Sequence, residues 1–182
     1  MKKIVLTFGL ISGAIFAAVT AVMLPLCMNG VIDFDKQEIV GYTVMVLAFL
    51  LVFFGIRSYR ENVGGGAITF GRALGVGLLI TVISCAVYVV CWEIVYYNFI
   101  PDFADRYATH VIDRMRSHGA SDAAILAKSR EMTRFKQLYA NPFINAGITF
   151  MEAFPVGLIV TLISAAVLRK KRGTPSAAEA VA

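Results

Sequence analysis

Two glutamates lie inside apolar stretches that are otherwise long enough to cross a membrane. Glu93 stands in "VYVVCWEIVYYNF" and Glu152 stands in "TFMEAFPVG". Because an ionisable side chain is costly to keep within a membrane, such residues commonly handle ions or protons or pair with another polar group. The two carboxylates could share a proton, bind a cation, or pair with Arg106 or Arg134. The structural alternative is that both glutamates are interfacial residues that reach towards lipid headgroups or water.

The depth of both glutamates follows from the basic ends of their stretches. An α-helix rises about 1.5 Å per residue, so Glu93 lies about 31 Å beyond Arg72, and Glu152 lies about 25 Å before Arg169. A hydrocarbon layer about 30 Å thick places Glu93 at its far boundary and Glu152 about one turn inside it. Pro155 is predicted to kink the helix beside Glu152, because it removes a backbone donor and crowds the preceding turn.

The histidines and cysteines form no comparable constellation. His110 and His118 are about 12 Å apart along a helix, too far to bind one metal ion without another element. Cys85 and Cys91 point to different sides of one helix. Because no nucleophile elbow or metal-binding spacing occurs, we predict that the protein is not an enzyme and has no catalytic residue, metal site or cofactor.

The composition determines which elements must position these residues. The chain has 182 residues, of which 58% are hydrophobic and only 16% are charged, with a mean hydropathy of +0.73. Soluble domains have roughly 25% charged residues, and a helix needs about 20 apolar residues to cross a bilayer. The sequence therefore predicts a single membrane domain, an all-α integral membrane protein whose four transmembrane helices cover about 4–27, 39–56, 73–100 and 143–168.

An amphipathic segment separates the third and fourth spans. Its first half carries an apolar stripe at four-residue steps, formed by Phe103, Tyr107, Val111 and Met115. Gly119 can end this helix, Ser121 can cap a second one, and Asn141 and Pro142 can stop it. We predict an extracytoplasmic helical hairpin of about 102–118 and 121–140 within an insert of residues 101–142. It is the expected meeting place for a partner or ligand.

Small residues recur at four-residue steps in three of the spans, and they include Gly9, Gly13, Gly77 and Gly157. Such stripes let helix backbones approach closely in lipid, where packing drives helix association. They could form the interior of the bundle or a contact between two copies of the chain. We interpret them as intramolecular packing positions.

The distribution of Lys and Arg predicts the orientation. With the N-terminus inside, the basic residues of the short segments fall on the cytoplasmic side as anchors: Arg57, Arg60, Arg72, Arg169, Lys170, Lys171 and Arg172. The outer segment carries basic residues too, but it is long and also carries acids. We therefore predict that both termini are cytoplasmic and that residues 169–182 form a basic, disordered tail.

The formal net charge of +5 fits a membrane surface. Basic residues near the cytoplasmic leaflet are attracted to anionic headgroups. No soluble face combines basic residues with exposed aromatics, as nucleic-acid binding would require. The expected partners are the lipid bilayer and a second copy of the chain or other membrane proteins, with no nucleic acid.

Three segments together resemble a known family: "GIRSYRENVGGGAITFGRAL", "PDFADRYATHVIDRMRSHGAS" and "NPFINAGITFMEAFPVGLIVTLISAAVL". In their order and spacing, they are similar to the bacterial domain-of-unknown-function family numbered 4199. The resemblance implies a four-helix protein of the bacterial inner membrane. It brings no activity, ligand or catalytic residue.

Three hypotheses about function follow. The first is a non-enzymatic accessory or assembly subunit that acts through its outer hairpin or its small-residue helix faces. The alternative is a small ion or proton-coupled transporter that uses Glu93 and Glu152, although a transporter is expected to place polar groups near the bilayer midplane. The third is an envelope sensor whose outer hairpin signals inward through a separate partner.

Overall fold

The computed structural model describes residues 1–28 and 34–170, and these residues form six helices without a strand. The helices are α1 (Lys2–Met28), α2 (Phe34–Asn62), α3 (Phe70–Phe99), α4 (Phe103–Ser117), α5 (Asp122–Tyr139) and α6 (Pro142–Leu168). The prediction of an all-α protein is confirmed. The predicted tail beyond Lys170, with Lys171 and Arg172, lies outside the described residues.

Four of these helices, α1, α2, α3 and α6, are long and apolar enough to cross a membrane. They correspond to the four predicted spans, so the chain is a multi-pass membrane protein. The largest difference between a predicted span and the observed helix is in α2. This helix continues past the predicted limit at residue 56 to Asn62. Its last turn is polar but helical, because Arg57 pairs with Glu61 at 3.0 Å and Asn62 donates to the Ser58 carbonyl at 2.9 Å.

The four spanning helices form a bundle in which α1 and α6 each pack against both α2 and α3. The interior holds large side chains of α2, including Phe49, Val52 and Ile56, which are fully buried. Hydrogen bonds also cross between helices, since the hydroxyls of Thr81 and Thr161 lie 2.9 Å apart in the core. Such contacts matter in lipid, where apolar burial alone does not distinguish a helix neighbour from a lipid tail.

The four glycines predicted as packing positions all lie between helices of the same chain. A Cβ added at Gly9 would lie 2.7 Å from Ile83, and one at Gly13 would lie 2.5 Å from Val87. At the interface of α3 and α6, a Cβ at Gly77 would lie 2.7 Å from Thr161, and one at Gly157 would lie 2.5 Å from Thr81. These helices approach as closely as the missing side chains allow.

The predicted anchor residues that the structure describes gather at one end of the bundle. There the backbones of Ile68 and Lys170 exchange two hydrogen bonds of 2.9 Å. Arg60 donates to the Leu168 carbonyl at 3.4 Å. The α2–α3 connection and the end of α6 are thus joined at the basic end.

The helices α4 and α5 form a hairpin at the opposite end. Its turn uses Gly119 at a φ of 72°, a conformation that favours glycine, and the Ser121 hydroxyl accepts from the Ala124 amide at 3.3 Å. Both helices begin and end within one residue of their predicted limits. A second buried cluster joins the hairpin to the spans and includes Leu24, Trp92, Tyr96, Ala104 and Tyr139.

Candidate ligand-binding cavity

A cavity of about 740 Å³ lies between the hairpin and the adjoining ends of the four spanning helices. All six helices contribute to its walls. The size falls within the range of about 300–1,000 Å³ that is typical of sites for small molecules. It lies at the end of the bundle opposite the predicted anchor residues, so the hairpin forms its roof and the spans form its floor.

The floor of the cavity is mostly apolar. The helix α1 contributes Phe16, Val19 and Met23, and α2 contributes Val44 and Met45. Methionine side chains are flexible and polarizable, so they adapt to ligands of irregular shape. This part of the cavity suits a hydrocarbon chain.

One end of the cavity is a continuous row of aromatic rings from α3, α4 and α5. Trp92 meets Phe103 with ring centroids 5.2 Å apart, and Phe103 stacks on Tyr107 at 6.2 Å. Tyr107 contacts Phe135 at 6.1 Å, and Phe135 stacks on Tyr139 at 4.9 Å. These distances fall in the range at which aromatic pairs attract each other. The row holds the roof against the third span.

A buried hydrogen-bond network supports this aromatic end. The Trp92 indole donates to the Tyr139 hydroxyl at 2.9 Å and to the Asn145 side-chain oxygen at 3.0 Å. Thr149 donates to the same oxygen at 3.3 Å, and the Asn145 amide donates to the Tyr139 carbonyl at 3.4 Å. Satisfied polar groups in an apolar interior define one arrangement of the helices around them.

Tyr139 is the member of this network that lies on the hairpin. Burial raises the pKa of its hydroxyl above the ordinary value, and the charge of Glu152 raises it further. Hydrogen bonding with Thr149 and Trp92 lowers the pKa by less than burial raises it. The hydroxyl therefore stays protonated near neutral pH and keeps its donor hydrogen.

The polar lining of the cavity is divided between roof and floor. The roof carries His110 and Arg114 on α4, His118 directly after the end of α4, and Lys128 on α5. The Nδ1 atom of His118 donates to the Arg114 carbonyl at 2.8 Å, which orients the imidazole. From the spans, Glu152 is the one carboxylate among the described lining residues. The cavity thus combines a mostly apolar floor, which carries Glu152, with a roof rich in basic and imidazole groups.

A family model described as "Protein of unknown function (DUF4199)" matches residues 7–170, which is nearly all of the described chain. The chain belongs to the DUF4199 family. This confirms the family resemblance of the three sequence segments. Searches of the curated proteins and of the solved structures found no match.

In this DUF4199 protein the two predicted glutamates have different surroundings. Glu152 lines the cavity, whereas Glu93 is not among the lining residues. Glu93 is half-buried, and its Oε1 atom has no hydrogen-bond partner among the described residues. Their action as a pair stays a prediction. Pro155 lies on an exposed side of α6, one turn after Glu152, and the kink stays a prediction as well.

The arginine that faces the cavity differs from the two that the sequence suggested. Arg106 pairs with Asp102 at 2.7 Å, and neither Arg106 nor Arg134 lines the cavity. Arg114 takes this position instead. It lies seven residues after Tyr107, about two helical turns, and therefore on the same face of α4. The apolar stripe on α4 could have identified it.

Other lining residues of the DUF4199 protein had no signal in the sequence. Tyr42, Tyr88 and Lys128 belong to three helices that are distant along the chain. Only packing brings them to one cavity. His110 and His118 also line it, but no group of three or more His, Cys, Asp or Glu side chains in the described segments could hold a metal ion.

Proposed function

We propose that the protein binds a small amphiphilic molecule in the cavity beneath its hairpin, as a non-enzymatic protein of the bacterial cytoplasmic membrane. The observation that carries the proposal is the 740 Å³ cavity with a mostly apolar floor and a polar roof. A ligand with one polar and one apolar end would match both surfaces. Sites for small molecules are commonly apolar with a few polar groups that orient the ligand.

The position of the cavity along the spans supports an amphiphile over a fully polar ligand. Counted from Lys3 at the basic end, Phe16 lies about 20 Å along α1 and Met23 lies about 30 Å along it. A hydrocarbon layer is about 30 Å thick, so the cavity would begin inside the layer and extend past its boundary. The ligand would cross the same boundary between apolar and polar surroundings.

The proposed topology has both termini in the cytoplasm and the hairpin outside. Its support is that the basic residues of the short segments gather at the end of the bundle opposite the hairpin, since such residues are enriched in short cytoplasmic segments. The cavity would then open within the outer half of the membrane. Its ligands would come from the outer leaflet or the space beyond it.

Ligand binding also suits the role of an accessory or assembly subunit. The hairpin forms the roof of the cavity, so a ligand that contacts the roof would change how the hairpin is held and what it presents to a partner protein. A transporter that uses the glutamate pair has less support, because Glu152 lines the cavity and Glu93 does not.

The chain offers a spectroscopic test, since Trp92 is its single tryptophan and lines the cavity. The purified protein in lipid nanodiscs would be titrated with single-chain amphiphiles that carry a dibrominated tail, which quenches tryptophan on contact. We expect saturable quenching of Trp92 with at least one kind of head. Quenching that only rises in proportion to the amphiphile content of the bilayer, for every head, would overturn the proposal.

A matched pair of variants on α1 separates cavity binding from contact with the bilayer. Thr20→Phe places a ring where Thr20 lines the cavity, and it should weaken saturable quenching by about tenfold or more. Ile15→Phe adds the same ring at a position that is 40% exposed and faces away from the cavity. It should leave the titration unchanged.

A further inference from the structure

We infer that the polar end of the ligand is an uncharged oxygen group, a hydroxyl or an ester carbonyl, and that the Tyr88 hydroxyl anchors it in the cavity. This inference rests on the proposed function and names the chemistry of its ligand. Tyr88 lies on α3 and lines the cavity from the side of the spans.

The Tyr88 hydroxyl is a buried polar group that can still form hydrogen bonds. The residue is only 9% exposed, and no described residue donates a hydrogen bond to its hydroxyl or accepts one from it. A hydroxyl in apolar surroundings is costly without such a partner. Because a tyrosine hydroxyl both donates and accepts, an oxygen of an alcohol or of a carbonyl group would satisfy it.

Packing holds the Tyr88 ring beside the cavity. Its centroid lies 5.3 Å from that of Phe16 on α1, and the Phe16 ring meets the Phe49 ring of α2 at 5.2 Å. All three rings are buried. A side chain that is already fixed loses little conformational freedom when a ligand binds to it. Tyr88 is therefore preorganised as an anchor.

The surroundings of Tyr88 favour discrimination by one hydrogen bond. Tyr88 lies about 24 Å beyond Arg72 along α3, which is within a hydrocarbon layer about 30 Å thick. Apolar lining residues surround this level, with Phe16 and Met45 from the spans and Val111 and Met115 from α4. A site that forms a hydrogen bond in such surroundings rejects an analogue without the matching group, because a buried polar atom then stays unpaired.

The charged lining residues already have partners within the protein, which favours an uncharged head. The Lys128 ammonium pairs with the Glu131 carboxylate at 2.8 Å. Arg114 and Glu152 each interact with other groups of the chain, and the charge of Glu152 raises the pKa of the Tyr139 hydroxyl on the hairpin. A charged head would lose its hydration and compete with these interactions, at a cost that an uncharged head avoids.

The test compares five dibrominated eighteen-carbon molecules in the Trp92 quenching titration: the alcohol, the methyl ester, the carboxylate, the trimethylammonium compound and the hydrocarbon without a head. Concentration is expressed as the mole fraction in the bilayer. We expect the alcohol or the ester to bind at least about fivefold more tightly than the other three, as one buried hydrogen bond predicts. The alcohol and ester arms identify the oxygen group that fits better.

A matched pair of tyrosine variants assigns the anchor. Tyr88→Phe keeps the ring and removes the hydroxyl, so it should abolish the advantage of the alcohol or the ester over the hydrocarbon. Circular dichroism verifies that this variant is folded. Tyr59→Phe removes a hydroxyl from another buried tyrosine, which lies at the basic end of α2 and does not line the cavity. It should leave the preference intact.

Each other outcome separates this inference from the proposed function. Tighter binding of the carboxylate or the trimethylammonium compound would overturn the inference and leave amphiphile binding supported. An advantage of the alcohol or the ester that persists in Tyr88→Phe would overturn the assignment of the anchor. Equal saturable binding of all five molecules would overturn the inference too, because the cavity would then select only the chain. Saturable binding of none of the five would overturn the proposed function itself.

Discussion

At the scale of single residues, Trp92 connects three helices through one indole N–H. It stands on α3 and donates both to Tyr139 on α5 and to Asn145 on α6. Asn145 is fully buried, so without the indole its side-chain oxygen has no water as a replacement and keeps only the 3.3 Å hydrogen bond from Thr149. Buried polar groups that lose their partner destabilise a fold more than the hydrogen bond itself stabilises it.

Replacing Trp92 with Phe should therefore lower the free energy of unfolding by about 1–3 kcal/mol, because two buried acceptors lose a donor. The measurement is unfolding of the detergent-solubilised protein, followed by circular dichroism. Tyr97→Phe is the control, since it removes the hydrogen bond from an exposed hydroxyl to the Ala140 carbonyl at 3.1 Å. Equal losses for the two variants would contradict the role assigned to the buried network.

At the scale of elements, α3 and α6 meet through their smallest side chains. Ala73, Thr81 and Cys85 on α3 are fully buried, as are Ala153, Thr161 and Ala165 on α6. Both helices are therefore close together along much of their length. This contact sets the positions of Trp92 and Glu152, which reach the cavity from neighbouring helices.

Gly157→Ala should destabilise the bundle by about 1–3 kcal/mol, because overpacking forces neighbouring side chains to move. The added methyl would lie 2.5 Å from Thr81 and 2.7 Å from the Phe49 ring, and both residues are fully buried. Gly147→Ala on the same helix meets nothing within 4 Å. This control should be neutral or up to about 1 kcal/mol more stable, because alanine favours the helix. The measurement is unfolding of both variants by titration with dodecyl sulfate. An equal change in the stability of the two variants would be evidence against close packing of α3 and α6.

At the scale of the whole molecule, the two ends of the bundle have different compositions. One end joins the α2–α3 connection to Lys170 and carries the basic anchors, and the other carries the hairpin and the cavity. Basic residues on short segments commonly set the orientation of a multi-pass protein. The proposed orientation places the cavity on the outer side.

Labelling of introduced cysteines tests this orientation. In a variant whose Cys27, Cys85 and Cys91 are replaced by Ala, Gln137→Cys marks the exposed side of the hairpin and Asn62→Cys marks the basic end. A membrane-impermeant maleimide should label Gln137→Cys in intact cells and Asn62→Cys only after the membrane is opened. The reverse pattern would place the hairpin in the cytoplasm.

The spans and both hairpin helices could be predicted because their causes are local. Apolar length determines a spanning helix, and the caps at Ser121 and Asn141 act within three residues of the chain. The end of α2 was harder to predict, because Arg57 and Glu61 extend a helix beyond its apolar part. Glu152 was found from its unusual polarity in an apolar run, and the apolar stripe on α4 was found from its period.

By itself, the sequence determined that the chain has four membrane-spanning helices and a helical hairpin, whereas the depth of Glu152 in the membrane stays a prediction. Only the tertiary structure decided that the α4 stripe covers a cavity and that Tyr42, Tyr88, Arg114 and Lys128 share it. The physical reason is that a spanning helix is apolar on all sides, so its composition does not reveal which face meets another helix and which meets lipid. The rotation of each helix follows from small-residue contacts and buried hydrogen bonds between segments distant in the chain, such as Thr81 with Thr161.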